Sequence, residues 1–185
     1  MPNIEHWVLT FVCPDKPGIV HAISGAVVQA RGNITESKQF TSESNNFFMR
    51  LQIESDIERT EFERIISETA KQYQMQWQLD VVGRPMKTLV LASKAAHCVN
   101  DMLFRQLSGQ IPIEVSAVMA NHDDLQSLAE FYKTPFELHE IDSDDDKLAF
   151  EARIDEFVEE NDVELIVLAR YMQILSADFC KRYEG

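Results

Sequence analysis

The residues whose types and spacing could do chemistry fall just after three apolar runs. "ASKAAHC" at 92–98 offers a hydroxyl and a cation, Ser93 and Lys94, that could touch an anion. Equally, Ser93 could cap a helix while Lys94 stays solvated. No G-x-G-x-x-G or G-x-x-x-x-G-K-[ST] cradle is present, which weighs against nicotinamide and nucleoside triphosphate chemistry. "NHDD" at 121–124 holds Asn121 or Asp123 as a helix cap and His122 as a possible ligand contact. Asp123 and Asp124 sit at adjacent positions and do not converge, so no metal is expected. "RYMQILS" at 170–176 joins a cation, an aromatic ring, soft apolar side chains and a capping serine. Such a loop at the end of a strand could grip a flat heterocycle. Nucleophile-elbow and H-E-x-x-H patterns are absent. Cys13, Cys98 and Cys180 are odd in number and far apart. They suit neither a disulfide framework nor a zinc site, and each reads as a small buried hydrophobe.

The elements that must position these residues form two rhythms. Residues 6–82 read as strand, helix, strand, strand, helix, strand. In the first helix Ile19, Ile23 and Val27 recur at helical spacing and Gly32 reads as a C-cap. Phe47, Met49, Leu51 and Ile53 share one face of a strand. Phe62, Ile65, Ile66, Thr69 and Tyr73 line a second helix. Met75, Trp77, Leu79 and Val81 alternate along the last strand. This βαββαβ order predicts a ferredoxin-like unit. "GRP" at 83–85 interrupts it and sets a boundary between a first domain, 1–83, and a second, 86–185.

In the second piece strands alternate with helices, which predicts a parallel, Rossmann-like sheet with helices on both faces. "MKTLVLAS", "IPIEVSAVMAN", "PFELHEI" and "VELIVLA" are the four strands. Between them, Val99, Met102, Leu103 and Leu107 share a helical side. "HDDLQSLAEFY" is a short helix, and "DSDDDK" reads as a solvated acidic loop. Phe150, Ile154, Phe157 and Val158 then face inward from another helix. The strongly apolar last strand calls for neighbours on both edges. The fold class expected is therefore α/β: a βαββαβ unit, then an incomplete parallel sheet.

Composition narrows the function further. The chain has 185 residues, of which 45% are hydrophobic and 26% charged, and a net charge of −14. This is ordinary globular composition. Residues 86–185 carry 20 acidic and 9 basic side chains, against 11 and 8 before them. So acidic a surface repels phosphate backbones, and nucleic acid is not an expected partner. The start, "MPNIEHWVLTFVC", lacks a basic region before its apolar run, and no run is long enough to span a bilayer. A cytoplasmic location is expected.

Four stretches together resemble one family: "CPDKPGIVHAISGAV", "SKAAHCVNDML", "IEVSAVMANHDDLQSL" and "VELIVLARYMQILSADFCKRY". They are similar to formyltetrahydrofolate deformylases, in which an ACT-type regulatory domain precedes a formyltransferase-like hydrolase domain. The resemblance implies hydrolysis of 10-formyltetrahydrofolate to formate and tetrahydrofolate, feeding purine biosynthesis and one-carbon balance. Folate is then the substrate, with no separate cofactor. It implies that Met172, Gln173, Ile174 and Leu175 surround the pterin ring. It also places an amino-acid effector site at Asp15, Gly18, Ile19, Asn33 and Ile34, in a homo-oligomer. The family's catalytic asparagine, histidine and aspartate correspond to nothing in residues 1–185, so this segment alone is expected to be inactive and an intact chain active. "SKAAHC" lacks the glycines with which the related transferases hold a phosphate, which suits water as the formyl acceptor. Two alternatives stand beside this reading: a non-catalytic ACT-type sensing protein and a folate-dependent formyltransferase.

Overall fold

The computed structural model describes residues 4–183, and the chain divides into two compact units between Arg84 and Pro85. The first unit runs β1 (Glu5–Pro14), α1 (Ile19–Gln29), β2 (Asn33–Thr41), β3 (Asn46–Ser55), α2 (Arg59–Tyr73) and β4 (Gln76–Val81). Its antiparallel sheet has the order β2-β3-β1-β4, the ferredoxin-like βαββαβ arrangement of an ACT-like domain. Period-two alternation builds the core. Trp7, Leu9, Phe11 and Cys13 of β1 and Phe47, Met49, Leu51 and Ile53 of β3 are buried together. Ile19, Ile23 and Val27 of α1 and Phe62, Ile65 and Ile66 of α2 close over them.

Gly32 is not the cap that its position suggests. The left-handed residue ending α1 is Arg31, with φ of 51°. Gly32 is required for space instead, because a Cβ there would lie 2.8 Å from both Ile53 Cγ2 and Val27 Cγ1. A positive φ that does need glycine is found at Gly18, 95°, where α1 begins.

The second unit runs β5 (Met86–Ala92), α3 (Ala96–Leu107), β6 (Ile113–Ala120), a 3-10 turn (Asp123–Leu125), α4 (Gln126–Phe131), β7 (Phe136–Leu138), α5 (Asp144–Asn161), β8 (Leu165–Ala169) and α6 (Ala177–Arg182). Its sheet is parallel, in the order β7-β6-β5-β8. Successive residues of β5 serve opposite faces. Leu89 and Leu91 pack with Phe150, Ile154 and Phe157 of α5. Val90 and Ala92 pack with Val99 and Leu103 of α3. Helices therefore cover both faces, as the alternating elements predict.

Several local expectations are corrected. Leu107 is 77% exposed, so the inward side of α3 rests on Val99 and Leu103, with Met102 packed partly buried beside them. "DSDDDK" is no loop: α5 starts at Asp144. Ser143 caps it by accepting from the Asp146 N–H, and three aspartates occupy its first turn. Those charges favour the positive end of the helix dipole. Of the cysteines only Cys13 is buried, and burial pushes its thiol up. Cys98 is partly exposed and Cys180 exposed.

Candidate functional site

Parallel pairing places three loops side by side. Ala92 is in register with Ala120 on one flank and Ala169 on the other. The segments after β5, β6 and β8 therefore leave the sheet at one edge, where ligands gather in open α/β sheets.

A single hydroxyl joins all three. Ser93 Oγ donates to Asn121 Oδ1 at 2.7 Å and accepts from the Met172 backbone N–H at 3.2 Å. In this arrangement the serine proton points to the Asn121 carbonyl oxygen, which leaves the Asn121 amide NH2 as its other hydrogen-bonding group. Both side chains are buried. The alternative role of Ser93 as a cap is therefore excluded: Ala95 occupies the N-cap of α3, with no side-chain bond. Asn121 and Asp123 do not cap either, because His122 holds the N-cap of the 3-10 turn, again without a side-chain bond.

Beside this serine lies a cavity of about 340 Å³. Ser93 and Lys94 line it from the first loop, Asn121 and His122 from the second, and Arg170, Met172 and Gln173 from the third. Among the described residues, neither Lys94 nor Arg170 makes an ion pair. A chain of net charge −14 thus presents two cations, a histidine and two amides at one opening. Such a wall suits a ligand rich in hydrogen-bond acceptors. Among the described residues no group of three or more His, Cys, Asp or Glu side chains is arranged to hold a metal.

The third loop owes its shape to Arg170, whose left-handed φ of 61° reverses the chain directly after β8. Tyr171 turns into the core, 6.0 Å from the Phe150 ring. Burial, followed by the nearby Glu151 charge, pushes its phenol up to about 12. Met172 emerges at the cavity 67% exposed. Of the four residues expected around a heterocycle, Met172 and Gln173 line the cavity. Ile174 is 83% exposed, and Leu175 packs against the core around Leu89 and Phe150.

The loop ends on a second serine. Ser176 Oγ accepts from the Phe179 N–H at 3.1 Å and donates to Glu151 Oε2 at 2.5 Å. The Ser176 N–H reaches Glu151 Oε1 at 2.7 Å. Glu151 is buried inside α5. The sequence does hold a signal for it: position 151 falls in the 150, 154, 157 stripe, where an acid has no business unless it is paired.

In the first unit the expected effector residues do not converge within one chain. Asp15 accepts from Thr41 Oγ1 at 3.0 Å, close to Gly18 in sequence. Ile19 is a core residue. Asn33 and Ile34 pair with Glu54 and Ile53, whereas Thr41 pairs with Phe47 at the far end of β2. The two groups thus lie roughly 25 Å apart along the sheet.

Comparison with known proteins agrees with this architecture. Residues 86–185 match the family described as "Formyl transferase". Over 99% of its length the chain is 40% identical to a formyltetrahydrofolate deformylase of Corynebacterium sp. (strain P-1), covering 65% of that protein. With the deformylase of Bacillus subtilis (strain 168) the identity is 31%, covering 96% of this chain and 60% of the relative. The crystal structure of a deformylase from Pseudomonas putida KT2440 superposes with a TM-score of 0.87 at 34% identity, covering 98% of this chain and 66% of that one. The chain spans a little under two thirds of the length of these relatives. More than half of it matches the family's own pattern, so the chain belongs to the formyl transferase family.

Proposed function

We propose that the intact protein hydrolyses 10-formyltetrahydrofolate to formate and tetrahydrofolate, with water as the formyl acceptor. The observation that carries this reading is the similarity to formyltetrahydrofolate deformylases, which runs through both units rather than the second alone. The Arg170–Ser176 loop supports it. Met172 gives an exposed apolar surface for a pterin ring, Gln173 a neighbouring amide, and the backbone of Ile174 and Leu175 further donors and acceptors. Ile174 and Leu175 contribute through the main chain in this reading, since neither side chain lines the cavity. Asn121 and Lys94 line the same cavity and offer donors to a formyl oxygen or to formate. Folate is the substrate, and the residues described here bind and orient it.

The expected result is formate release from 10-formyltetrahydrofolate with no amine present. Tetrahydrofolate formed only when an amine is added, with the formyl group recovered on that amine, establishes the transferase alternative. Binding of small ligands without either reaction establishes the sensing protein.

The first unit is proposed to bind an amino acid between two copies of the chain. The separation of Asp15 and Gly18 from Asn33 and Ile34 supports two chains rather than one. The unpaired outer edge of β2 supplies a surface for the second copy. Titration calorimetry of the intact protein with a panel of amino acids tests this, and heat from none of them would remove the effector.

A further inference from the structure

Glu151 is a buried carboxylate with no place in the folate reading so far, and its geometry is specific. Both of its oxygens accept hydrogen bonds, and both donors come from one residue, Ser176. The serine hydroxyl also accepts from the Phe179 N–H, so its oxygen is tied to α6 as well. The carboxylate therefore fixes the backbone and side chain of Ser176 at once. Ser176 is both the last residue of the Arg170–Ser176 loop and the N-cap of α6. At the loop's other end Met172 N–H is held by Ser93. Between these two pins lie only Gln173, Ile174 and Leu175. Among the described residues, none of their backbone N–H groups makes a hydrogen bond.

We infer that Glu151 is a positioning residue for the ligand loop: it holds Ser176 so that the backbone of 173–175 stands ready for a flat ligand. It does not touch that ligand. The inference rests on the folate reading for the identity of the ligand, but not for the existence of the pin. Pre-ordering a binding loop lowers the entropy lost on binding, and a small displacement of a positioning group has large effects on turnover. The pin also explains why an acid is retained in the inward stripe of α5. A leucine there would pack, but would leave the Ser176 N–H without a partner.

Three substitutions in the intact protein test it. Glu151→Leu fills the same buried space but offers no acceptor, so both bonds are lost. Ser176→Ala removes the hydroxyl bond and the cap, whereas Ser176→Thr restores both. KM for 10-formyltetrahydrofolate should rise about tenfold in Glu151→Leu and Ser176→Ala. Ser176→Thr should stay within about threefold of wild type. A merely structural Glu151 would lower the folded fraction and leave KM alone. Amide hydrogen exchange without ligand supplies the readout that does not depend on the substrate. The Ser176 amide should be protected in the wild type and exchange about tenfold faster in Glu151→Leu, while amides of β5 and β6 are unchanged. If exchange changes but no variant or wild type turns over the folate, the folate reading fails and the pin stands. Unchanged Ser176 exchange together with unchanged KM in folded Glu151→Leu overturns the pin. Should that variant not fold, the contrast between Ser176→Ala and Ser176→Thr decides in the same way.

Discussion

Tyr171 and Met172 are neighbours in sequence with opposite environments, and the difference sets what substitution should do. Met172 is largely exposed, so Met172→Asp costs the fold little. If a pterin ring stacks there, an unpaired charge against it weakens folate binding by at least tenfold. Circular dichroism and melting should match the wild type while affinity falls. Unchanged affinity would remove the side chain from the site. Gly18 is a contrasting case, where backbone rather than side chain is at stake. Its φ is 95°, and a Cβ would stand 3.3 Å from the Tyr73 hydroxyl. Gly18→Ala should therefore destabilise the first unit by about 1–2 kcal/mol, measured by urea unfolding.

Elements were readable wherever a single period governed them. The alternation of Phe47, Met49, Leu51 and Ile53 and the stripe of Phe62, Ile65 and Ile66 lie in the structure as their spacing predicts. Boundaries were harder, because caps and turns are decided by one hydrogen bond. "DSDDDK" has the composition of a loop, yet Ser143 and the dipole make it the first turn of α5. The site was legible as three loops at strand ends and illegible in its wiring. Nothing in "ASKAAHC" indicates that Ser93 bonds Asn121, 28 residues away, rather than capping its own helix. Glu137 and Arg153 show the same kind of long connection. They tie β7 to α5, with bonds of 3.0 and 3.2 Å. Burial pushes the Glu137 carboxyl up, but hydrogen bonds from Arg153 and His139 outweigh it and hold the group below its ordinary range. Its contribution is then complete above the unfolded value of about 4.3 and disappears as pH falls through the lower folded value. Glu137→Gln should melt lower than wild type at neutral pH, by about 1 kcal/mol. The gap should close in strong acid, and a gap independent of pH would show that the pair contributes nothing through charge.

At the scale of the whole molecule, charge and association oppose each other. A chain of net charge −14 repels its own copies, and the proposed oligomer must form against that repulsion. Association should therefore strengthen between low salt and about 0.15 M, where screening shortens to about 8 Å. Light scattering across that range checks it, and a monomer throughout would end the proposal. Among the described residues no helix is long and apolar enough to cross a membrane. The hydroxyl of Ser93 has a further consequence on evolutionary time. It joins the loops after β5, β6 and β8 through two hydrogen bonds, donating to Asn121 and accepting from the Met172 N–H. Alanine at 93 strands the Asn121 carbonyl, and leucine at 121 strands the serine proton. Neither change is easily tolerated alone, so in diverging descendants positions 93 and 121 should be inherited as one character, kept together or replaced together.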